Sequence, residues 1–262
     1  MHPYQIAFFD IDGTLVDIET KQISEKTKQA LVQLQKQGVL LYLATGRPFQ
    51  SIPHFDWIRF DGCLCFNGSY CVSGDQVIYQ RSIAHEDVLR IVENAKAIHR
   101  PVSLAGDKRI SANGVDQDLS DYFALSKQRI APSDDFEEAL QETIYQIMMG
   151  AVPAQFDAIL QGVESAEIVA WWDRAIDIIP AKSGKGNAVR AILAHHQIDA
   201  SKAIAFGDGE NDIEMLKAVG CGVAMGNANA NVKAAADDVC KRVDEEGIYT
   251  YLTAHRIIDC SK

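Results

Sequence analysis

The feature that most constrains the fold is an apolar segment that runs directly into acids, at residues 6–15 (Ile-Ala-Phe-Phe-Asp-Ile-Asp-Gly-Thr-Leu). An unpaired buried charge is costly, so acids that end a buried strand must be paired, protonated or bound to a metal. Alternate positions of a strand face the same side, so Asp10 and Asp12 can point into one pocket. Gly13 allows a sharp turn and a close approach to a ligand. The alternative is a strand with a capped turn, because Asp-Gly is common in turns.

Length, charge and cysteine content limit the class of protein. The 262 residues suffice for one large domain or two ordinary ones, and the 47% hydrophobic content can fill a core. A net charge of −11 argues against nucleic acid or an anionic membrane as a general partner. There is no apolar run of about 20 residues to span a membrane, and residues 1–5 do not resemble a signal peptide. We therefore expect a soluble, cytoplasmic protein.

The six cysteines contain no Cys-x-x-Cys pair. Buried thiols in a reducing compartment explain such scattered cysteines better than a disulfide or zinc framework. The residues concerned are Cys63, Cys65, Cys71, Cys221, Cys240 and Cys260.

Strand and helix patterns alternate in the first part of the chain, which predicts a parallel α/β sheet. Ser24 can cap a helix whose apolar face contains Ala30, Leu31 and Leu34 and which ends at Gly38. Continuous apolar runs at 39–44 and 63–66 predict strands buried on both faces. A hairpin with strands at 70–73 and 76–80 follows.

The pattern changes between residues 82 and 181, where shorter strands and helices predict a separate α+β layer. The elements predicted there are helices at 85–99, 134–142 and 154–161 and strands at 102–105, 144–150, 168–172 and 176–179. The first pattern then resumes with helices at 185–196 and 210–219 and strands at 203–206 and 222–225. We therefore expect a doubly wound α/β core from residues 1–81 and 182–262, interrupted by an inserted domain at 82–181.

Polar residues follow apolar strands, or start a helix, in four separated segments. They are Asp10 with Asp12, Thr45 with Arg47, Lys185, and Asp208 with Asn211 and Asp212. The carboxyl ends of parallel strands form the crevice where ligands bind. Carboxylates suit Mg²⁺, while lysine, hydroxyl and amide groups suit a phosphoryl group. A carboxylate can also attack phosphorus and form an aspartyl phosphate.

Each segment taken alone has an ordinary structural explanation. Residues 45–48 (Thr-Gly-Arg-Pro) form a common turn sequence, and Lys185 can be a solvated lysine at a helix start. Residues 207–212 can be an acidic turn or a calcium loop, although they lack the acid spacing and closing glutamate of an EF-hand. The joint occurrence of all four at strand ends favours one site.

The four motifs together resemble those of the haloacid dehalogenase superfamily, in particular its Cof-type sugar-phosphatase branch. They are residues 9–15 (Phe-Asp-Ile-Asp-Gly-Thr-Leu), 44–47 (Ala-Thr-Gly-Arg), 183–186 (Ser-Gly-Lys-Gly) and 207–212 (Gly-Asp-Gly-Glu-Asn-Asp). Residues 225–228 and 233–237 are also similar to that branch. The resemblance covers the whole chain and implies a Rossmann-like core whose inserted cap domain chooses the substrate.

The resemblance also implies a role for each motif residue. Asp10 would be the nucleophile, and Asp12 the general acid and base. The residues implied to bind the phosphoryl group are Thr45, Gly46, Lys185 and Asn211. Mg²⁺ would be held by the Asp10 side chain, the Asp12 backbone carbonyl and Asp208. Asp212 would support Lys185 and the metal, while Arg47 and Asn67 would face the substrate.

The expected activity is Mg²⁺-dependent hydrolysis of a small phosphorylated metabolite by a monomer or homodimer. A sugar phosphate is the expected substrate, with pyridoxal phosphate and flavin mononucleotide as alternatives. A phosphomutase or phosphotransferase would use a second sugar hydroxyl in place of water. A signalling receiver module also combines an aspartate pocket with threonine, lysine and Mg²⁺. Asp12 and the inserted domain argue against that last class.

Overall fold

A computed structural model describes residues 3–126, 128–170 and 172–259. The strands in these residues are β1 (Ile6–Asp10), β2 (Leu40–Ala44), β3 (Gly62–Cys65), β4 (Tyr70–Ser73), β5 (Gln76–Gln80), β6 (Val102–Ala105), β7 (Ile110–Ala112), β8 (Gln146–Gly150), β9 (Ala166–Val169), β10 (Ala175–Pro180), β11 (Ala203–Gly207), β12 (Cys221–Ala224) and β13 (Asp238–Val239). The α-helices are α1 (Glu25–Lys36), α2 (His85–Ala97), α3 (Gln117–Leu125), α4 (Phe136–Ala139), α5 (Phe156–Ile159), α6 (Lys185–His196), α7 (Ile213–Lys217), α8 (Ala230–Ala235) and α9 (Gly247–Ala254).

The described residues form two compact units. The first unit is drawn from 1–46, 53–80 and 184–262, and the second from 47–52 and 81–183. The 47–52 segment is thus part of the second unit, although it lies within the sequence range predicted for the core.

The first unit contains an eight-stranded sheet with the order β13-β12-β11-β1-β2-β3-β4-β5. All pairings from β13 to β3 are parallel, and the hairpin of β4 and β5 adds two antiparallel strands at one edge. β1 lies between β11 and β2, so Ile6 is paired with both Ala203 and Leu40. The predicted α/β class with a mainly parallel sheet is confirmed.

Several elements of the first unit begin and end where the sequence predicts. Ser24 caps α1 by accepting a hydrogen bond from the Thr27 backbone N–H, and the buried face contains the three predicted residues Ala30, Leu31 and Leu34. α6 and both strands of the hairpin have the predicted bounds. Local capping and an apolar stripe are enough to define these elements.

The predicted helix at 210–219 is wrong in its first turn. Residues 210–212 form a 3₁₀ turn, and α7 covers only Ile213–Lys217. The Asp212 carboxylate accepts hydrogen bonds from the backbone N–H groups of Asp208 and Gly209, which shapes this turn. A side chain that bonds to nearby backbone competes with a regular helix.

The second unit contains a five-stranded antiparallel sheet with the order β7-β6-β8-β10-β9. One face of this sheet belongs to a core cluster that includes Val88 and Ile91 of α2, Phe136 of α4 and Ile159 of α5. Two predicted helices in this region are shorter than expected, because only 136–139 and 156–159 are α-helical. Asp116 caps α3, which the sequence analysis did not predict.

Four of the described cysteines, Cys63, Cys65, Cys71 and Cys240, are buried free thiols, and Cys221 is a partly buried one. Cys260 lies outside the described residues, as does Trp171 in the predicted strand 168–172. Among the described residues, no helix combines the length and apolarity needed to cross a bilayer.

Candidate active site

The candidate site begins at the carboxyl end of β1, where Asp10 closes the central strand of the sheet. Asp10 is paired in register with Ala44, so Thr45 directly follows on one side. On the other side, β11 ends at Gly207 and is followed by Asp208. Because these strands are parallel, their ends bring three of the predicted segments to the same edge.

Lys185 connects the end of β1 to the 3₁₀ turn that follows β11 through buried ion pairs. Its Nζ atom lies 2.7 Å from Oδ1 of Asp10 and 2.6 Å from Oδ1 of Asp212. Lys185 is only 1% exposed, although it is the first residue of α6. The solvated helix-start lysine considered as an alternative is therefore wrong.

Burial and neighbouring charges together shift the pKa values of Lys185 and Asp10. Burial alone would lower the pKa of the Lys185 ammonium, but the carboxylates of Asp10 and Asp212 raise it above its ordinary value. Burial raises the pKa of Asp10 well above its usual range, with further contributions from the negative charges of Asp212 and Asp208. The ammonium of Lys185 acts in the opposite direction. An additional cation would favour the ionised carboxylates.

Asp212 is fixed on both of its oxygens. Oδ1 accepts the hydrogen bond from Lys185, and Oδ2 accepts from the backbone N–H groups of Asp208 and Gly209, each at 3.0 Å. This fully buried carboxylate therefore holds the loop after β11 and the lysine at the same time. The role of supporting Lys185 and the metal, which the resemblance implies for Asp212, stays a prediction.

Asp208 is oriented by two side chains from other segments. Thr14 Oγ1 donates to its Oδ1 at 2.9 Å, and Asn227 Nδ2 donates to its Oδ2 at 3.1 Å. Asn227 also donates to the Gly13 carbonyl at 2.9 Å. Burial first, and then the charge of Asp212, raise the pKa of Asp208 to about 7.

Three carboxylates at this edge are close enough to share a cation. One oxygen each from Asp10, Asp208 and Asp212 lies within 4.8 Å of the others. Oxygen donors of this kind suit a hard divalent ion such as Mg²⁺. The carboxylates present therefore fit a metal ion. The ligand set that the resemblance implies also contains Asp10 and Asp208, but its third member is the backbone carbonyl of Asp12 in place of the Asp212 carboxylate.

The turn after β1 brings the backbone close to Asp208. Gly13 has φ +91°, and a Cβ atom at this position would overlap the carboxylate of Asp208. The Gly13 N–H donates to the Val16 carbonyl at 2.8 Å, and the backbones of Asp12 and Val16 form an isolated β-bridge. A larger residue at position 13 would both strain the backbone and displace the carboxylate.

Thr45, Asn67 and Asn211 are also brought together. The Asn67 N–H donates to the Thr45 carbonyl at 3.1 Å, and Asn67 Oδ1 accepts from Asn211 Nδ2 at 2.9 Å. Thr45 and Asn67 are each 1% exposed. A Cβ atom at Gly46 would lie 2.9 Å from Asn67 Oδ1, so the Gly46 backbone is next to the same side chain.

Arg47 is the one predicted site residue that belongs to the second unit. Its Nη1 donates to the Ser51 carbonyl at 3.2 Å.

Sequence reasoning missed Thr14 and Asn227 as members of the site. Both directly orient Asp208. Asn227 follows β12, so the rule that polar residues after parallel strands line the crevice could have identified it. Thr14 lies inside the first motif, but its partner is 194 positions away in sequence.

The fold and the site define a doubly wound α/β enzyme with a buried lysine among carboxylates. Residues 7–252 match the model of the haloacid dehalogenase-like hydrolase family, and the chain belongs to this family. It is a phosphatase of the Cof-type branch. Phosphatases of this superfamily generally use a divalent metal, which agrees with the acidic cluster.

Three similar proteins illustrate the relationship. The Bacillus subtilis protein YkrA, whose name assigns it provisionally to the phosphatases, is 31% identical over 93% of this chain and 95% of its own length. The Bacillus subtilis 5-amino-6-(5-phospho-D-ribitylamino)uracil phosphatase YitU is 28% identical over 95% of this chain and 96% of its own length. A solved subclass IIB sugar phosphatase is 31% identical, covers 97% of this chain and 100% of its own, and has a TM-score of 0.87.

We predict that Lys185→Met strongly destabilises the fold at neutral pH in the presence of a chelator. Breaking a buried ion pair by removing one partner costs about 3–5 kcal/mol, because the remaining charge is uncompensated. The measurement is the free energy of unfolding in urea. Lys217→Met is the matched control, since its ion pair with Glu214 is about half exposed and should contribute only about 0–1 kcal/mol.

Adding Asp10→Asn to Lys185→Met should restore part of the lost stability, because one of the uncompensated carboxylates is then absent. If the variants at Lys185 and Lys217 lowered the free energy of unfolding by equally small amounts, this account of the buried charges would be contradicted.

Proposed function

We propose that this phosphatase hydrolyses phosphomonoesters of small metabolites, with Mg²⁺ as cofactor and an aspartyl phosphate as intermediate. The observation that carries the proposal is the buried Lys185, bound to Asp10 and Asp212 beside the carboxylate of Asp208. A positive charge held next to a carboxylate at a ligand-binding edge suits phosphoryl transfer.

In this mechanism Asp10 is the nucleophile. Lys185 holds Oδ1 of Asp10, and we assign the attack to the other oxygen. A bond forms between that oxygen and phosphorus, while the bond from phosphorus to the leaving oxygen breaks. Lys185 also supplies positive charge for the phosphoryl oxygens.

Asp12 is the general acid and base. It gives a proton to the leaving oxygen in the first step and takes one from water in the second. The water oxygen then bonds to phosphorus, the bond to Asp10 breaks, and phosphate is released. Its position two residues after Asp10, in the turn bridged to Val16, supports this role.

The side chains of Asp10 and Asp208, with the Asp12 carbonyl, would hold Mg²⁺. When bound, this ion neutralises carboxylate and phosphoryl charge. Thr14 and Asn227 orient Asp208, and Asp212 orients Lys185 and the loop after β11.

We assign Thr45, Gly46, Lys185 and Asn211 to the phosphoryl group, and Arg47 and Asn67 to the substrate more generally. The contacts among Thr45, Asn67 and Asn211 support this grouping. The second unit would select the leaving group, as a substrate-specificity domain.

A sugar phosphate is the substrate class that we favour. The similarity to a subclass IIB sugar phosphatase supports this choice. YitU, which is named for a phosphorylated ribityl compound, is also similar to this chain. A cytoplasmic location and a monomeric or homodimeric state stay predictions.

We predict that hydrolysis of p-nitrophenyl phosphate requires Mg²⁺ and is lost on chelation. Asp208→Asn should raise the Mg²⁺ concentration needed for activity, because one anionic ligand is removed. It should also reduce the rise in melting temperature that Mg²⁺ produces, which reports binding without turnover. Asp75→Asn, in the exposed β4–β5 turn, is the matched control. Full activity in excess chelator would reject the metal.

We predict different defects for the two aspartates of the first motif. Asp10→Asn should be inactive, because an amide is a poor nucleophile. Asp12→Asn should release a burst of p-nitrophenol and then turn over about 10²–10⁴-fold more slowly, since hydrolysis of the intermediate needs the base. p-Nitrophenolate leaves readily without an acid.

Rapid-quench kinetics and intact-mass measurement can follow this difference. The Asp12 variant should carry one phosphoryl group on Asp10. Equal slowing of both phases without a trapped phosphoenzyme would refute these roles. Product analysis with an added acceptor sugar separates hydrolysis from phosphotransfer.

The turn at residues 106–109 is the place to test substrate selection by the second unit. Arg109 is bound to Asp135 and Glu142, each at 2.7 Å, so its replacement would disturb the fold. Lys108 is exposed in the same turn. Lys108→Ala should change kcat/KM among sugar phosphates by roughly tenfold, as for a lost charged hydrogen bond.

Activity on p-nitrophenyl phosphate should stay within about twofold in the Lys108 variant, a change too small for the loss of a hydrogen bond to a charged group. Lys96→Ala, at an exposed position of α2, is the control. A uniform loss across all substrates would argue against selection by this turn.

A further inference from the structure

The 47–52 segment connects two parts of the first unit but packs with the second. Residues up to Gly46 and from Pro53 onwards belong to the first unit. The chain therefore changes units one residue after Gly46 and two residues after Thr45. Arg47 is the first residue on the other side of this boundary.

Gln50 holds this segment to a well-defined turn of the second unit. Gln50 Nε2 donates to the Gly106 carbonyl at 2.9 Å. The Gly106 N–H donates to the Arg109 carbonyl at 3.0 Å, which closes the turn. The Arg109 guanidinium is in turn held by Asp135 and Glu142. The acceptor of Gln50 is thus part of a turn that a backbone hydrogen bond and two ion pairs stabilise.

The segment itself is also internally ordered. The Ser51 N–H donates to the Pro48 carbonyl at 2.8 Å, and the Ser51 hydroxyl lies 3.2 Å from Gln128 Oε1. Arg47 Nη1 donates to the Ser51 carbonyl. The Arg47 side chain is therefore bound to the same turn that Gln50 fastens to residue 106.

We infer that Gln50 is a positioning residue, which fastens the Arg47-bearing segment to the second unit and so sets the position of the Arg47 guanidinium for the substrate. This inference rests on the substrate-facing role given to Arg47 in the proposed function. Asp10, Asp12 and Lys185 all belong to the first unit. Gln50 should therefore affect substrate affinity and leave the chemical step unchanged.

The expected change in substrate affinity follows from the loss of one hydrogen bond, between Gln50 and the Gly106 carbonyl. Losing a single neutral hydrogen bond lowers the equilibrium constant for fastening the segment by about two- to tenfold. The apparent affinity for substrate follows the fraction of protein that has Arg47 in place, so it falls by at most the same factor.

The test uses Gln50→Glu, which keeps the size of the side chain but removes the donor, together with Gln50→Ala, which adds no charge. Both should raise KM for p-nitrophenyl phosphate by at most about tenfold, with kcat unchanged. Gln35→Glu is the matched control, because Gln35 Nε2 donates to the Arg59 carbonyl at 2.7 Å within the first unit. It should leave KM unchanged.

A double-mutant cycle with Arg47→Ala separates positioning from general loss of structure. In the Arg47→Ala background, the substitutions at Gln50 should raise KM no further, since there is no guanidinium left to position. An undiminished effect in that background would overturn the inference, as would an unchanged KM in both single variants.

Amide hydrogen exchange tests the fastening without substrate. The peptide that contains residues 47–52 should exchange faster in both Gln50 variants than in the wild type, whereas the Gln35 variant should not differ. Unchanged exchange would overturn the inference even in an inactive protein. A wild type without Mg²⁺-dependent hydrolysis would instead refute the proposed function, so the two failures are distinguishable.

Discussion

The interaction on which the site depends is the pair of contacts between Lys185 and the carboxylates of Asp10 and Asp212. Charges this deeply buried are tolerated only when they compensate one another and their hydrogen bonds are satisfied. Lys185 starts α6, Asp10 ends β1, and Asp212 precedes α7. The same contacts that balance the charge therefore bind three elements from distant parts of the sequence at one edge of the sheet.

Much of the core was predictable because its signals are local. The apolar segment before Asp10, the cap at Ser24 and the hairpin at 70–80 each define an element without help from tertiary contacts. The 3₁₀ turn at 210–212 was not predictable in this way. The Asp212 carboxylate that shapes this turn is itself held by a hydrogen bond from Lys185, which is distant in sequence. Tertiary contacts of this kind override helix periodicity.

The distinction between local signals and tertiary contacts also applies to the candidate site. The rule that polar groups follow parallel strands placed Asp10, Thr45 and Asp208 together, but it gave no partner for any side chain. The orienting contacts of Thr14 and Asn227 with Asp208 depend on residues that approach only in the folded chain. Likewise, nothing in the turn sequence at 45–48 indicates that the chain leaves the core at Arg47.

The charged groups proposed for chemistry and Arg47, which is proposed for substrate binding, belong to different units. The acids and the lysine proposed for chemistry all belong to the first unit, where Asp10 ends β1 and the others lie in the loops or at the helix start that follow the sheet. Arg47 is attached instead to a turn of the antiparallel unit, through Ser51 and Gln50. Changes confined to the second unit therefore leave the buried pairs of Lys185 with Asp10 and Asp212 intact, because both pairs lie within the first unit. Under the proposed function, this separation would let the leaving group change while the groups assigned to the chemistry stay in place.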